Sequence, residues 1–219
     1  MKEVLSKIDL AVLKATTTPG MVLEAAETVK YHNFATICVF PKHVEVAKTI
    51  LPSEKISAVV GFPLSPATTE IKLKEATEAV EKGAGELDVV VDISAVKCGD
   101  WKKVEDELKL FRKTFTNIVL KLIFECCYLS EEEKITLCRL AVDNGWNYLK
   151  TSTGYGSYGA TFEDVELLVK CARGKAKVKA AGGIRTFEDA KKFLSLGAER
   201  IGTSNGKEIA KQVLYCGEV

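Results

Sequence analysis

An α/β protein folded as a single (β/α)8 TIM barrel, with a short N-terminal helical extension, is the architecture this sequence predicts. Two observations carry it. Eight short, β-branched and apolar runs recur along the 219 residues, and longer charged segments of helical period separate them. No Pro/Ser-rich linker divides the chain, so residues 1–219 read as one domain, close to the ~250 residues usual for such a barrel. A doubly wound open sheet shares the alternation and stays open as the competing arrangement.

The strands in order are IDLAVLK from Ile8, FATICVF from Phe34, ISAVVGF from Ile56 and ELDVVVDI from Glu86. They continue with NIVLKLIFE from Asn117, NYLKTS from Asn147, KAKVKAAG from Lys175 and ERIGTS from Glu199. Between them, apolar residues spaced by three and four predict amphipathic helices in EVAKTILP, TTEIKLKEATEAVEKGA, DWKKVEDELKLFRKTF, SEEEKITLCRLAVDNGW, TFEDVELLVKCAR and TFEDAKKFLSLGA. Ser130 before Glu133, Thr161 before Asp164 and Thr186 before Asp189 are capping patterns at helix starts. Gly83, Gly145 and Gly197 stand where helices should end.

Composition narrows the function classes. Lys+Arg at 31 against Asp+Glu at 30 leaves a formal charge of +1, which argues against a nucleic-acid binder working by phosphate neutralisation. Seven cysteines form an odd set without a C-x-x-C pair, pointing to reduced thiols, no zinc site and no metal. The start MKEVLSKIDLAVLK is broken by charges, unlike a signal peptide, and no apolar run approaches a membrane span. A cytoplasmic protein with no membrane partner is expected.

Strands buried on both faces should be nearly all apolar. Asp9, Asp88, Lys121, Lys150 and Lys179 break that rule in five of the strands. Each alone reads equally as a strand-end residue pointing to solvent. As a set they make sense facing one another in a mixed-sign cluster, because one unpaired buried charge costs several kcal/mol. Lys150 and Lys179 lie on consecutive strands and are expected at the carboxyl ends, where barrel enzymes carry their sites. Two adjacent ammonium groups repel, so one loses its proton more readily, and a neutral amine is what attack on a carbonyl requires. Asp88 is the nearby group for proton transfer.

Glycines after the seventh strand (Gly182, Gly183) and the GTSNG segment (Gly202, Ser204, Asn205) suit an anion held by backbone N–H groups. Thr153 and Gly154 of TSTG add donors from the neighbouring loop. Arg185 reads either as a charge for that anion or as a solvated helix-start residue. The following GYGSYGA reads as a flexible loop over the site.

The segments YLKTSTGYG, VKAAGGIRTFEDA, ELDVVVDISAVKCGDW and RIGTSNG, with VVGFPLSPATTEIKLKEA, together resemble the deoxyribose-phosphate aldolases from Ile8 to about Gly206. The resemblance implies a class I aldolase that needs no metal or other cofactor and cleaves 2-deoxy-D-ribose 5-phosphate to D-glyceraldehyde 3-phosphate and acetaldehyde. It implies Lys150 as the Schiff-base lysine, Lys179 as the lysine that perturbs it and Asp88 as the proton-transfer acid. Thr153, Gly154, Gly182, Gly183, Gly202, Ser204 and Asn205 fall where the family holds substrate, and Asp9, Lys121 and Cys38 are supporting. Cys38 reads as core first and as a reactive thiol second. A phosphosugar is the expected partner, and a homodimer or homotetramer the expected assembly. IDLA replaces the polar IDHT or MDLT of many members, Asn205 replaces a small residue, and FECC retains Glu125. Tyr215 is the candidate for the tail tyrosine that some members use, with tail packing the simpler role. The competing readings are another phosphosugar Schiff-base barrel, transaldolase-like, and a sugar-phosphate-binding barrel without turnover.

Overall fold

The structure, a computed structural model, describes residues 2–215; the Tyr215 side chain, Cys216 and the rest of the tail lie outside the described side chains. A one-turn helix α1 (Lys2–Leu5) precedes β1 (Ile8–Val12), α2 (Pro19–His32), β2 (Thr36–Val39), α3 (Val44–Lys48) and β3 (Ile56–Val60). Then come α4 (Thr69–Glu81), β4 (Glu86–Val90), α5 (Ile93–Lys97), α6 (Trp101–Thr114), β5 (Val119–Ile123) and α7 (Glu131–Asp143). The chain continues through β6 (Tyr148–Lys150), α8 (Phe162–Ala172), β7 (Lys177–Ala181), α9 (Phe187–Ser195), β8 (Arg200–Thr203) and α10 (Gly206–Tyr215). The strands are all parallel and close in sequence order, β8 pairing back onto β1 through Asp9 and Gly202. That closure excludes the open sheet.

Local chemistry starts the helices where expected. Ser130 and Glu133 form a reciprocal capping box on α7, and Thr161 and Thr186 accept from the backbone N–H of Asp164 and Asp189. Gly83, Gly145 and Gly197 carry positive φ after α4, α7 and α9. The strands are shorter than the apolar runs suggest, and β6 is the shortest: only Tyr148, Leu149 and Lys150 pair before the chain turns out. The α2 helix, with Thr18 as its cap and Pro19 at its first turn, carries only Val22, Ala26 and Val29 as buried residues. Exposed Met21, Leu23 and Tyr31 around that stripe blur its helical period in the sequence.

Side chains alternate along each strand, and here the two faces differ in kind. The outward face (Ile37, Ile56, Leu87, Val89, Leu120, Leu122, Leu149, Val178, Ile201) joins the helices in the main apolar core. The inward face holds Asp9, Thr36, Ser57, Glu86, Asp88, Lys121, Lys150 and Lys179, all buried. Val90 and Ile123 also face inward, and a small apolar cluster of Leu13, Cys38 and Val59, with Ala11, Phe40 and Phe62 against it, sits apart near the mouth. A barrel of this kind normally fills its centre with Val, Ile and Leu. This one fills it with ions.

Candidate active site

The register of the closed sheet brings the charges together. Lys150 pairs with Lys179 across β6 and β7, Asp88 with Lys121 across β4 and β5, and Lys179 with Arg200 across β7 and β8. Asp88 is the hub. Its Oδ2 accepts from Lys150 Nζ and Lys179 Nζ, both at 2.8 Å, while its Oδ1 lies 2.8 Å from Lys121 Nζ and accepts from Ser57 Oγ at 2.8 Å. Asp9 takes Lys179 at 2.6 Å, Lys121 at 3.1 Å and Arg200 at 2.5 Å. Glu86 takes Lys121 at 2.6 Å and Arg200 at 3.1 Å.

The five charged residues picked from the strands therefore meet in one cluster, and the solvent-facing reading of each is set aside. One placement differs from expectation. Lys150 ends its strand, but Lys179, its register partner, is the middle residue of β7, which runs on through Ala180 and Ala181. Gly202 on the neighbouring strand makes this possible. A Cβ there would lie 2.7 Å from Ala181 Cβ and 3.0 Å from Lys179 Cε, so Gly202 gives room to a lysine as well as lining the cavity.

The same geometry divides the two lysines electrically. Burial pushes the Lys150 amine below its ordinary pKa; Asp88 offsets part of that, and the Lys179 charge adds to it. Burial acts on Lys179 as well, but Asp88 and Asp9 outweigh it and hold its ammonium above the usual range. Lys121, flanked by Asp88, Asp9 and Glu86, is held well above, again against burial. Burial would raise the Asp88 carboxyl, but Lys121, Lys150 and Lys179 overcome it and hold it well below the ordinary carboxylate value. Asp9 is likewise held low by Lys121, Lys179 and Arg200. One lysine is set up to lose a proton while its neighbour keeps one.

A cavity of about 650 Å³ opens above this cluster at the carboxyl ends of the strands. Lys150, Lys179, Asp9 and Cys38 form its floor, and Thr153, Gly154, Gly182, Gly183, Gly202, Ser204 and Asn205 line it higher up. Asp88 and Lys121 do not line it; Asp88 is in contact through the two lysines. Arg185 is an exposed residue of the rim. Cys38 Sγ is 3.9 Å from Asp88 Oδ2, and burial first, then Asp88, pushes its thiol pKa up, away from a thiolate. Leu10 and Ala11 give the wall apolar surface.

The loop after β6, expected from the sequence as a flexible cover, is hydrogen-bonded to its neighbours at several points. Glu125, buried and in the left-handed region at φ 52°, accepts from the Thr153 N–H at 3.1 Å and from its hydroxyl. Tyr155 Oη donates to the Leu13 carbonyl at 2.6 Å, and its ring meets Phe62 edge-on at 5.4 Å. Tyr158 Oη donates to the Cys126 carbonyl at 3.3 Å, and Ala160 N–H to the Gly182 carbonyl at 3.0 Å. The loop thus ties β1, β5 and β7 together around the mouth.

Three members of the cluster escaped the sequence reading: Ser57, Glu86 and Arg200. The signal was there for two of them. Glu86 is two residues before Asp88 and Arg200 two before Gly202, so each shares an inward face. Among the described residues, no group of three or more His, Cys, Asp or Glu is placed to hold a metal ion, the interior acids being taken up by lysine and arginine. No helix among them is long and apolar enough to cross a membrane.

Comparison with known proteins identifies a family for this chain. Residues 7–212 match the model of the DeoC/LacD family aldolases. The deoxyribose-phosphate aldolase of Clostridioides difficile (strain 630) is 42% identical over 212 residues, covering 96% of this chain and 97% of the relative. That of Carboxydothermus hydrogenoformans is 43% identical over 217 residues, covering 96% and 95%. Among solved structures, the aldolase QR15 superposes with a TM-score of 0.94 at 40% identity, covering 98% and 97% of the two chains. The tetrameric deoxyribose phosphate aldolase of Aeropyrum pernix gives 0.89 at 29% identity, covering 97% and 92%.

Proposed function

The chain belongs to the DeoC/LacD family of aldolases, and from that premise we propose that it cleaves 2-deoxy-D-ribose 5-phosphate reversibly to D-glyceraldehyde 3-phosphate and acetaldehyde through a Schiff base on Lys150. The observation that carries this reading is the in-register pair Lys150 and Lys179, both donating to Asp88 Oδ2 beneath a cavity lined by glycine and hydroxyl loops.

The Lys150 amine adds to C1 of the open-chain sugar, and loss of water from the carbinolamine leaves an iminium. As the C3 hydroxyl gives up its proton, the C2–C3 bond breaks and its electron pair moves into the iminium. Glyceraldehyde 3-phosphate departs, and an enamine stays on Lys150. Protonation at C2 and hydrolysis then release acetaldehyde and restore the amine. The covalent electron sink replaces one steep barrier by several lower ones, and no metal or organic cofactor enters this route. Asp88, touching both lysines, passes protons during carbinolamine formation and dehydration. The loops carrying Thr153, Gly154, Gly182, Gly183, Gly202, Ser204 and Asn205 receive the phosphate end. A soluble homo-oligomer is the assembly to test by light scattering.

Incubation with acetaldehyde and cyanoborohydride, followed by peptide mass mapping, tests the reading. An ethyl group on the peptide carrying Lys150 is expected, and Lys150→Leu should lose both label and turnover. Label on Lys179 in the unaltered protein, or turnover retained without Lys150, sinks it.

A further inference from the structure

We propose that Arg200 and Glu86 are positioning residues for the aldol reaction: from the closed end of the barrel they set the charge balance of the buried cluster and thereby the pH at which Lys150 presents a free amine. This rests on Lys150 being the Schiff-base lysine.

Both residues begin their strands, at the end of the barrel away from the cavity, and neither lines it. Their side chains are 16% and 6% exposed. The Arg200 guanidinium reaches Asp9 Oδ1 and Glu86 Oε1, with the Tyr148 ring 5.6 Å beneath it. Glu86 continues the chain to Lys121, and Lys121 to Asp88. An unbroken line of ion pairs thus runs from the far end of the barrel to the hub that Lys150 touches.

Counting the interior gives three acids (Asp9, Glu86, Asp88) against four cations (Lys121, Lys150, Lys179, Arg200). One positive charge is in excess, and a buried excess charge is relieved by proton loss rather than carried. Arg200 cannot supply that proton, because a guanidinium stays protonated. Lys121 is held by three carboxylates and Lys179 by two, whereas Lys150 touches only Asp88 and borders the cavity. The excess therefore falls on Lys150.

The other groups around these residues leave the count unchanged. Cys38, facing the cluster from β2, is kept a thiol by burial. Glu125, following β5, makes no ion pair; burial pushes its carboxyl up toward the neutral acid, offset in part by the Thr153 donors and by the Lys150 charge. Lys55 and Tyr148 face Arg200 at its outer edge: Lys55 donates to Asn33 and to the Phe34 carbonyl, and Tyr148 lies under the guanidinium.

The test is the pH dependence of reductive trapping of acetaldehyde, with the label mapped to Lys150, in the unaltered enzyme and three variants. Arg200→Gln makes the count three against three, so protonated Lys150 is better tolerated. Its acidic limb should move up by about one pH unit, about tenfold slower trapping on that limb, with the alkaline plateau within about twofold. Glu86→Gln enlarges the excess, and the limb should move down. Arg200→Lys should leave it in place. Shifts of opposite sign are something a merely structural role does not produce. An unmoved limb, or both charge-removing variants moving the same way, overturns the proposal. So does failure of both to fold by circular dichroism, which would make the pair scaffold. Absence of label on Lys150 in the unaltered enzyme strikes the Schiff-base reading instead.

Discussion

Lys150 and Lys179 stand side by side in register on β6 and β7 and share one acceptor, Asp88 Oδ2, at equal distances of 2.8 Å. Their difference comes from the remaining contacts: Lys179 also has Asp9 at 2.6 Å, and Lys150 has no second carboxylate. The charge fixed on Lys179 is what Lys150 then works against.

Lys179→Met removes that charge. Lys150 should regain its proton, so cleavage at neutral pH should fall by about 10²-fold or more and recover in part as the pH is raised. Lys179→Arg, which restores a cation, should lose less if Gly202 leaves room for it. Initial rates across pH check both; a neutral-pH rate near that of the unaltered enzyme for Lys179→Met would contradict the division of roles.

Asp88→Asn takes the hub away from three lysines at once. Removing one partner of a buried ion pair costs about 3–5 kcal/mol, or roughly 6–20 °C in Tm for a chain of this size. Thermal denaturation followed by circular dichroism should show a fall in that range, together with loss of turnover.

Acid sensitivity follows from the depressed carboxyls. Asp9 and Asp88 titrate lower in the folded protein than in the unfolded chain. Their contribution is complete above the unfolded value of about 3.9 and is lost as pH falls from there toward the folded values. Urea midpoints measured from neutral pH downward should hold nearly level to about pH 5 and decline below about pH 4.

The two glycines after β7 should respond differently to alanine. Both have positive φ, 95° for Gly182 and 79° for Gly183, so each substitution carries about 1 kcal/mol of backbone strain. A Cβ on Gly182 also lies 2.9 Å from Gly159 Cα, whereas one on Gly183 meets nothing within 4 Å. Gly182→Ala must therefore shift the loop that faces it, and its KM for the phosphorylated substrate should rise several-fold more than that of Gly183→Ala. Equal effects would mean that the contact with Gly159 does not shape the cavity.

Away from the site, Lys72 and Glu107 form a buried ion pair. Lys72 also donates to the Val90 carbonyl at 3.1 Å, and Thr69 donates to Glu107 at 2.6 Å. Lys72→Met should cost about 3–5 kcal/mol, and Lys72→Met with Glu107→Leu should regain most of it. A double-mutant cycle by urea denaturation measures the coupling, with kcat expected to stay within about twofold throughout.

The charged residues on the strands were legible because a β-strand has a period of two and a buried sheet tolerates few ions. Asp88 and Lys121 interrupt apolar runs, and nothing at the surface would explain them. Glu86 and Arg200 carry the same period-two signal but were passed over, because a charge at a strand's first residue ordinarily meets solvent; it is closure of β8 onto β1 that carries Arg200 to Asp9. The pinned mouth was harder still. Tyr155 reaches a carbonyl 142 residues away, and no local pattern encodes that contact. Likewise α2 buries only Val22, Ala26 and Val29, and the apolar residues it leaves exposed, Met21, Leu23 and Tyr31, mask which face meets the barrel.

The two faces of these strands divide the protein's tasks by material. Outside the sheet lies a hydrocarbon mantle; inside it lies a small ionic crystal, each charge fixed by its neighbours. Thermal robustness can be raised by refilling the mantle without moving one ion, whereas any exchange within the crystal alters both the acidity of an amine and the cohesion of the barrel. Durability and reactivity are in this way separable by a single backbone's thickness, which gives directed variation a clear boundary: left or right of the strand, never through it.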